Sequence, residues 1–132
     1  MVKWFESWLK NNYSLKTNNE HKMDTKNFTI KSQEAIQKAQ ELAMISQQQA
    51  IETGHILKAL ITVDEDVIDY ALKIVNANLV WIEQALDSVI ASYPKVSGAG
   101  NQYLSNASQQ ALVKANSYLK DFDDEFVTIE HI

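Results

Sequence analysis

Ser32-Gln33-Glu34-Ala35-Ile36-Gln37-Lys38-Ala39 returns later in the chain as Ser108-Gln109-Gln110-Ala111-Leu112-Val113-Lys114-Ala115, and His55-Ile56 returns as His131-Ile132. Every one of these pairs is separated by 76 positions, so the register holds through the second copy without a gap. An ungapped internal repeat reports one supersecondary unit used twice. The first unit runs from Ser32 to about Ile90, and the second runs from Ser108 and breaks off at Ile132. The chain therefore reads as one and a half repeats, the expectation for a piece of a larger design.

Within the unit the hydrophobic period is helical. Ala35, Ile36, Ala39, Leu42 and Ala43 form one apolar stripe, with Thr29 placed to cap the helix that carries it. The run Gln47-Gln48-Gln49 ends that helix. A second helix fits His55 to about Ile61, burying Ile56, Leu57, Leu60 and Ile61. Asp64-Glu65-Asp66 marks a turn whose charge suits the N-terminus of a third helix, near Val67–Val75. A fourth runs from about Leu79 to Ile90 with Ile82, Ala85, Leu86 and Val89 inward. Tyr93 to Asn101 holds the single Pro and two of the three Gly, and so punctuates the repeats. A fifth helix, about Ser105–Phe122, repeats the first stripe through Ala111, Leu112, Ala115, Tyr118 and Leu119. No segment shows sustained two-residue alternation, so the fold class expected is all-α.

Composition closes several functional classes. The 132 residues carry a net charge of −5, and no arginine occurs. A nucleic-acid surface wants a basic face, preferably with Arg, so that reading is weak. Charge is uneven: residues 1–26 carry a net +2, while residues 116–132 carry −4. There is no cysteine, hence no disulfide framework and no thiol nucleophile, which suits a reducing cytoplasm. No run is long and apolar enough to span a membrane. Trp4, Phe5, Trp8 and Leu9 could share one helical face. The blander alternatives, an unordered tail or an upstream extension of a chain that starts at Met23, are preferred.

Catalytic and metal chemistry is hard to find. A P-loop needs a Gly-rich turn running into Lys-Ser/Thr, and none of Gly54, Gly98 and Gly100 precedes such a pair. His21, His55 and His131 lack the spacing of a helical metal pair. His55 and His131, each at a helix start, read as half-buried side chains bonded to a helix end. Asp121-Phe122-Asp123-Asp124-Glu125 lacks the glycine and the distal glutamate of a calcium loop. The expectations are no catalytic residue, no metal, no cofactor and no enzymatic activity in this chain.

Two segments carry a family resemblance. One is Phe28-Thr29, Gln33, Ala35-Ile36, Ala39-Gln40, Leu42-Ala43, then Ile51-Glu52-Thr53, His55-Ile56-Leu57 and Ala59-Leu60. The other is Leu112 to Leu119 followed by Phe126-Val127-Thr128 and Glu130-His131-Ile132. Together they resemble the N-terminal Clp repeat domain of the ClpB disaggregases, which are AAA+ unfoldases. The linker Pro94, Val96, Gly98, Gly100 is similar to the ClpB inter-repeat linker. The resemblance covers about Phe28–Ile132. It implies an all-α tandem repeat of four-helix units, with the second repeat incomplete. Residues 1–27 would be an extension, 28–92 the first repeat, 93–104 the linker and 105–132 the partial second repeat.

The resemblance further implies a cytoplasmic domain that sits on an AAA+ ring and binds exposed apolar stretches of unfolded or aggregated polypeptide. Family positions for substrate handling fall on Thr29, Asp124 and Glu130. Leu112 and Tyr118 are candidates for an apolar groove. Neither nucleic acid nor membrane is an expected partner. A stand-alone adaptor or regulator of a Clp protease complex is the alternative. Residues 105–132, short of their own neighbours, are expected to pack on the first repeat or on another copy and to be less firm than residues 32–90.

Overall fold

The computed structural model describes residues 27–97, 101–122 and 124–132. The Trp4-to-Leu9 face, His21, Met23, Gly98, Gly100 and Asp123 lie outside the described residues.

Helix α1, Ile30–Ile45, begins where Thr29 accepts the Ser32 N–H at 3.2 Å. It ends as Gln47 turns to φ 57° and the Gln48 N–H closes back onto the Ala43 carbonyl at 2.8 Å. That left-handed closure satisfies an orphan carbonyl of the last turn without a glycine. Strand β1 is Ala50–Ile51 and helix α2 is Thr53–Val63. Asp64 then caps helix α3, Glu65–Ile74, whose first turn holds Glu65 and Asp66 as the dipole favours. Asn78 caps helix α4, Leu79–Ser92, by accepting the Trp81 N–H at 3.0 Å. Strand β2 is Tyr103–Leu104, helix α5 is Asn106–Ser117 and helix α6 is Leu119–Phe122. A 3-10 turn at Ile129–His131 follows.

The duplication governs how the halves meet. β1 and β2 pair in parallel, with Ala50 opposite Tyr103 and Ile51 opposite Leu104. A second parallel bridge joins Phe28 to Val127. Phe28 and Leu104 stand at the repeat spacing, as do Ile51 and Val127, so the two pairings are one contact with its partners exchanged. That is the geometry of a two-fold, self-complementary interface built inside one chain. The Thr29 N–H donates to the Val127 carbonyl at 3.0 Å, and the Ser105 N–H donates to that of Ile51 at 3.1 Å.

A single core draws on both halves. Ile36, Ile51, Ile56 and Leu60 pack with Leu104, Leu112, Val127 and Ile129, all buried. Leu104, Leu112, Val127 and Ile129 are thus integral to the first repeat's packing.

The all-α expectation holds, with one addition and three corrections. The two-residue strands were not expected, being too short to show alternation. The fifth helix does not run unbroken to Phe122: α5 stops at Ser117, Tyr118 forms its C-cap, and α6 starts afresh. On α4 only Leu86 is buried. Ile82 is half-buried, and Ala85 and Val89 are exposed, because α4 meets the rest of the described chain mainly along one line against α2. Leu57 on α2 faces the same open side and is not buried.

Candidate functional site

Two histidine assemblies at the repeat spacing anchor the ends of the interface. In the first, His55 has no accessible surface. Its Nδ1 accepts the Glu52 N–H at 2.9 Å, and its Nε2 lies 2.6 Å from Gln48 Oε1. Gln48 in turn donates Nε2–H to the Ile90 carbonyl at 2.6 Å. Because a backbone N–H can only donate, Nδ1 is the acceptor and the ring proton sits on Nε2. Burial holds the His55 pKa below its ordinary value of 6.5, against the opposing pull of Glu52.

The second assembly repeats the frame with other side chains. His131 Nδ1 accepts the Thr128 N–H at 3.0 Å, with the Thr128 hydroxyl also at 3.0 Å. His131 Nε2 lies 3.0 Å from Asp124 Oδ2. Gln48 and Asp124 are 76 apart, so a carboxylate replaces an amide at the matching position. The Phe122 ring stands edge-on to His131 at 5.3 Å, much as Tyr93 lies tilted against His55 at 5.3 Å.

Beside the second assembly lies an open cleft of about 370 Å³, lined by Thr29, Ile30, Lys31, Asp64, Thr128, Ile129 and Glu130. It sits where the start of α1, the α2–α3 junction and the 3-10 turn converge. Lys31 Nζ and Asp64 Oδ2 are 2.6 Å apart across one side. The hydrogen bond between them raises the lysine pKa and lowers that of the aspartate. With that pair neutralised, Glu130 is the remaining carboxylate of the lining. Exposed Ile30 contributes apolar area to the cleft, and Phe122 and Phe126 are exposed in the segment between α5 and the 3-10 turn.

The candidate residues separate in this geometry. Thr29 and Glu130, far apart in sequence, line the same cleft. Asp124 stands outside its lining but is tied by hydrogen bond to His131, the neighbour of Glu130. Leu112 has no accessible surface and belongs to the core, so it offers nothing to a ligand; its stripe points toward the first repeat. Tyr118 is half-buried at the α5–α6 corner, against Phe122 at 6.4 Å and under Lys114 Nζ at 5.9 Å. The histidines bond helix starts, as the sequence implied, but are buried rather than half-buried. Sequence reasoning missed the link from His131 to Asp124. The signal was available: carrying the repeat register to Gln48 and Asp124 exposes the matched pair. Among the described residues no cluster of His, Cys, Asp or Glu is arranged to hold a metal, and no helix is long and apolar enough to cross a membrane.

The molecule is thus defined as a helical repeat domain in which part of one unit recurs, and the two copies pair through short parallel strands about a pseudo-two-fold axis. A family model described as the Clp repeat (R) N-terminal domain matches residues 27–132, and the chain belongs to that family. It is 46% identical over 110 residues to the chaperone protein ClpB of Bacteroides thetaiotaomicron and 41% identical over 110 residues to that of Porphyromonas gingivalis. Each match covers 83% of this chain and 13% of the relative, so the chain spans about an eighth of the length of these relatives. The fold is also that of the Hsp104 N-terminal domain from Candida albicans. That match has a TM-score of 0.71 at 21% identity, over 80% of this chain and 70% of the other.

Proposed function

We propose that residues 27–132 act as a substrate-recruiting N-terminal domain of a ClpB-type chaperone, binding exposed apolar segments of unfolded or aggregated polypeptide. Recruitment is all this chain does on this reading. The turnover of ATP belongs to an AAA+ ring on which such a domain would sit, and the setting is the cytoplasm. Membership of the Clp repeat family supports the reading, as does similarity to the ClpB chaperones. The observation that carries it is the shared cleft. Thr29 and Glu130 meet there only because the halves dock, and Asp124 is bonded to His131, the residue after Glu130. An open surface of mixed apolar and acidic character accepts many sequences without exact polar readout.

The test is titration of the purified chain with a permanently unfolded protein, reduced and carboxymethylated lactalbumin. Affinity on the order of micromolar or weaker is expected, as for other adaptable binding surfaces. The double variant Asp124→Ala/Glu130→Ala should weaken it while circular dichroism stays that of the parent. A folded double variant that binds as the parent does would remove the acidic cleft from the binding site.

A further inference from the structure

A carboxylate on an irregular segment points nowhere in particular unless something holds it. Asp124 follows α6 outside any helix, and its side chain is 49% exposed. Its partner is the opposite: the His131 side chain is only 4% exposed. The His131 ring is fixed by Thr128 through Nδ1 and by the edge of Phe122. Its tautomer is fixed too. Thr128 supplies a backbone N–H to Nδ1, so the one ring proton of neutral histidine sits on Nε2 and faces Asp124 Oδ2. The first repeat shows the same frame carrying a neutral passenger, since His55 holds Gln48 and Gln48 spends its other end on the Ile90 carbonyl. Asp124 makes no second side-chain bond among the described residues, so its Oδ1 is left to act outward.

We infer that His131 is a positioning residue for polypeptide binding: it pins one oxygen of Asp124 and so presents the other to the backbone N–H groups or cationic side chains of a bound chain. The duplicated frame therefore has two uses. In the first repeat it closes the fold, and in the second it aims a charge. This inference rests on the proposed function and assigns a role within it.

The experiment is a double-mutant cycle on binding, with the full chain and the same carboxymethylated lactalbumin. Asp124→Ala and His131→Leu are each expected to weaken binding roughly three- to tenfold, the range of one lost hydrogen bond. The double variant should bind no more weakly than Asp124→Ala alone, because both changes remove one device. His131→Leu binding like the parent, or losses that multiply, overturns the inference. Asp124→Ala binding like the parent instead takes down the acidic-cleft reading beneath it, so the two failures are distinct. Nitrogen-15 spectra of the histidine rings of the parent protein give a second readout that needs no folded variant. His131 should show the Nε2–H tautomer, and its Nε2 resonance should move when the unfolded protein is added while that of His55 stays. A Nδ1–H tautomer, or a His131 signal indifferent to the ligand, is equally fatal.

Discussion

Ser32 and Ser108 make the same hydrogen bond from opposite halves of the molecule. Ser32 Oγ donates to the Val127 carbonyl at 2.9 Å and Ser108 Oγ donates to the Ile51 carbonyl at 2.7 Å. Donors and acceptors alike stand at the repeat spacing, so each half closes the other. Each serine also bonds its own N-cap hydroxyl at 3.0 Å, Ser32 with Thr29 and Ser108 with Ser105. One residue type thus links the start of a helix to the strand of the other half.

Replacing either serine with alanine should therefore cost about the same. Both are fully buried, and each acceptor carbonyl keeps a backbone N–H, so no group is left wholly unpaired. Each substitution removes the bond across the halves and the bond with the N-cap hydroxyl, and a loss of about 1–3 kcal/mol is expected. The two losses should add, since the sites share no partner. Urea unfolding of the two single variants and the double checks this. A negligible cost at both positions would show the second half to be a weak partner in the interface, and a cost confined to one would break the equivalence of the two bonds.

Leu112 and Tyr118 separate core from surface on the same helical stretch. Leu112 has no accessible surface, and Leu112→Ala should cost about 2–5 kcal/mol, as a buried leucine truncated to alanine does elsewhere. Tyr118→Ala, at a half-exposed corner, should cost clearly less. Thermal or urea unfolding decides it. If Leu112→Ala is as mild as Tyr118→Ala, residues 105–132 are less firm than residues 32–90, as expected of a copy short of its own neighbours.

The helices were legible because each carries its own signal: the Ala35–Ala43 stripe, the Thr29 cap, the acidic turn before α3. The strands were not, because Ala50–Ile51 and Tyr103–Leu104 are ordered by partners in the other half rather than by any local pattern. Helix α4 misled for a related reason. Its apolar residues have helical spacing, but spacing cannot tell which side has a neighbour, and only Leu86 is buried. Leu112 could be placed on an apolar stripe but not assigned to core or groove without the docking of the halves. The cleft itself arises from contacts between the start of α1, the α2–α3 junction and the last turn, so only family resemblance could point to Thr29, Asp124 and Glu130 beforehand.

Stability should decline as pH falls from about 6.5, and His55 should account for much of the early slope. Its folded pKa lies below 6.5, so folding favours the neutral ring. Between the two values the unfolded chain binds the extra proton, and that shifts the balance toward unfolding. The contribution is complete above 6.5 and lost as pH drops through the folded pKa. Asp64, depressed below 3.8 by Lys31, adds the same sign of change further into acid. Lys31 and Lys73, raised above 10.5 by their aspartate partners, act at the alkaline end, where stability is lost as pH rises past their folded values. Urea unfolding at pH 7.5 and pH 5 measures the acid slope. Substituting His55 by Asn should flatten it whatever the variant's absolute stability, and an unchanged slope would assign the titration elsewhere.

Asp124→Gln copies the first repeat's side-chain pair into the second. The His131 Nε2–H would then meet an amide oxygen, as the His55 Nε2–H already meets Gln48 Oε1. Thr128 stands at the position of Glu52, and Phe122 meets the ring as Tyr93 meets His55, although the bond from Gln48 to the Ile90 carbonyl has no counterpart among the described residues. The fold should tolerate the exchange, with stability within about 0.5 kcal/mol of the parent, as for a surface substitution that preserves its contacts. Binding of unfolded polypeptide should fall nonetheless, because the amide presents no negative charge. Unfolding and binding measured on the same preparation separate the two. A variant that is stable and binds fully would mean that the hydrogen-bond frame, and not the charge of Asp124, is what the second repeat contributes.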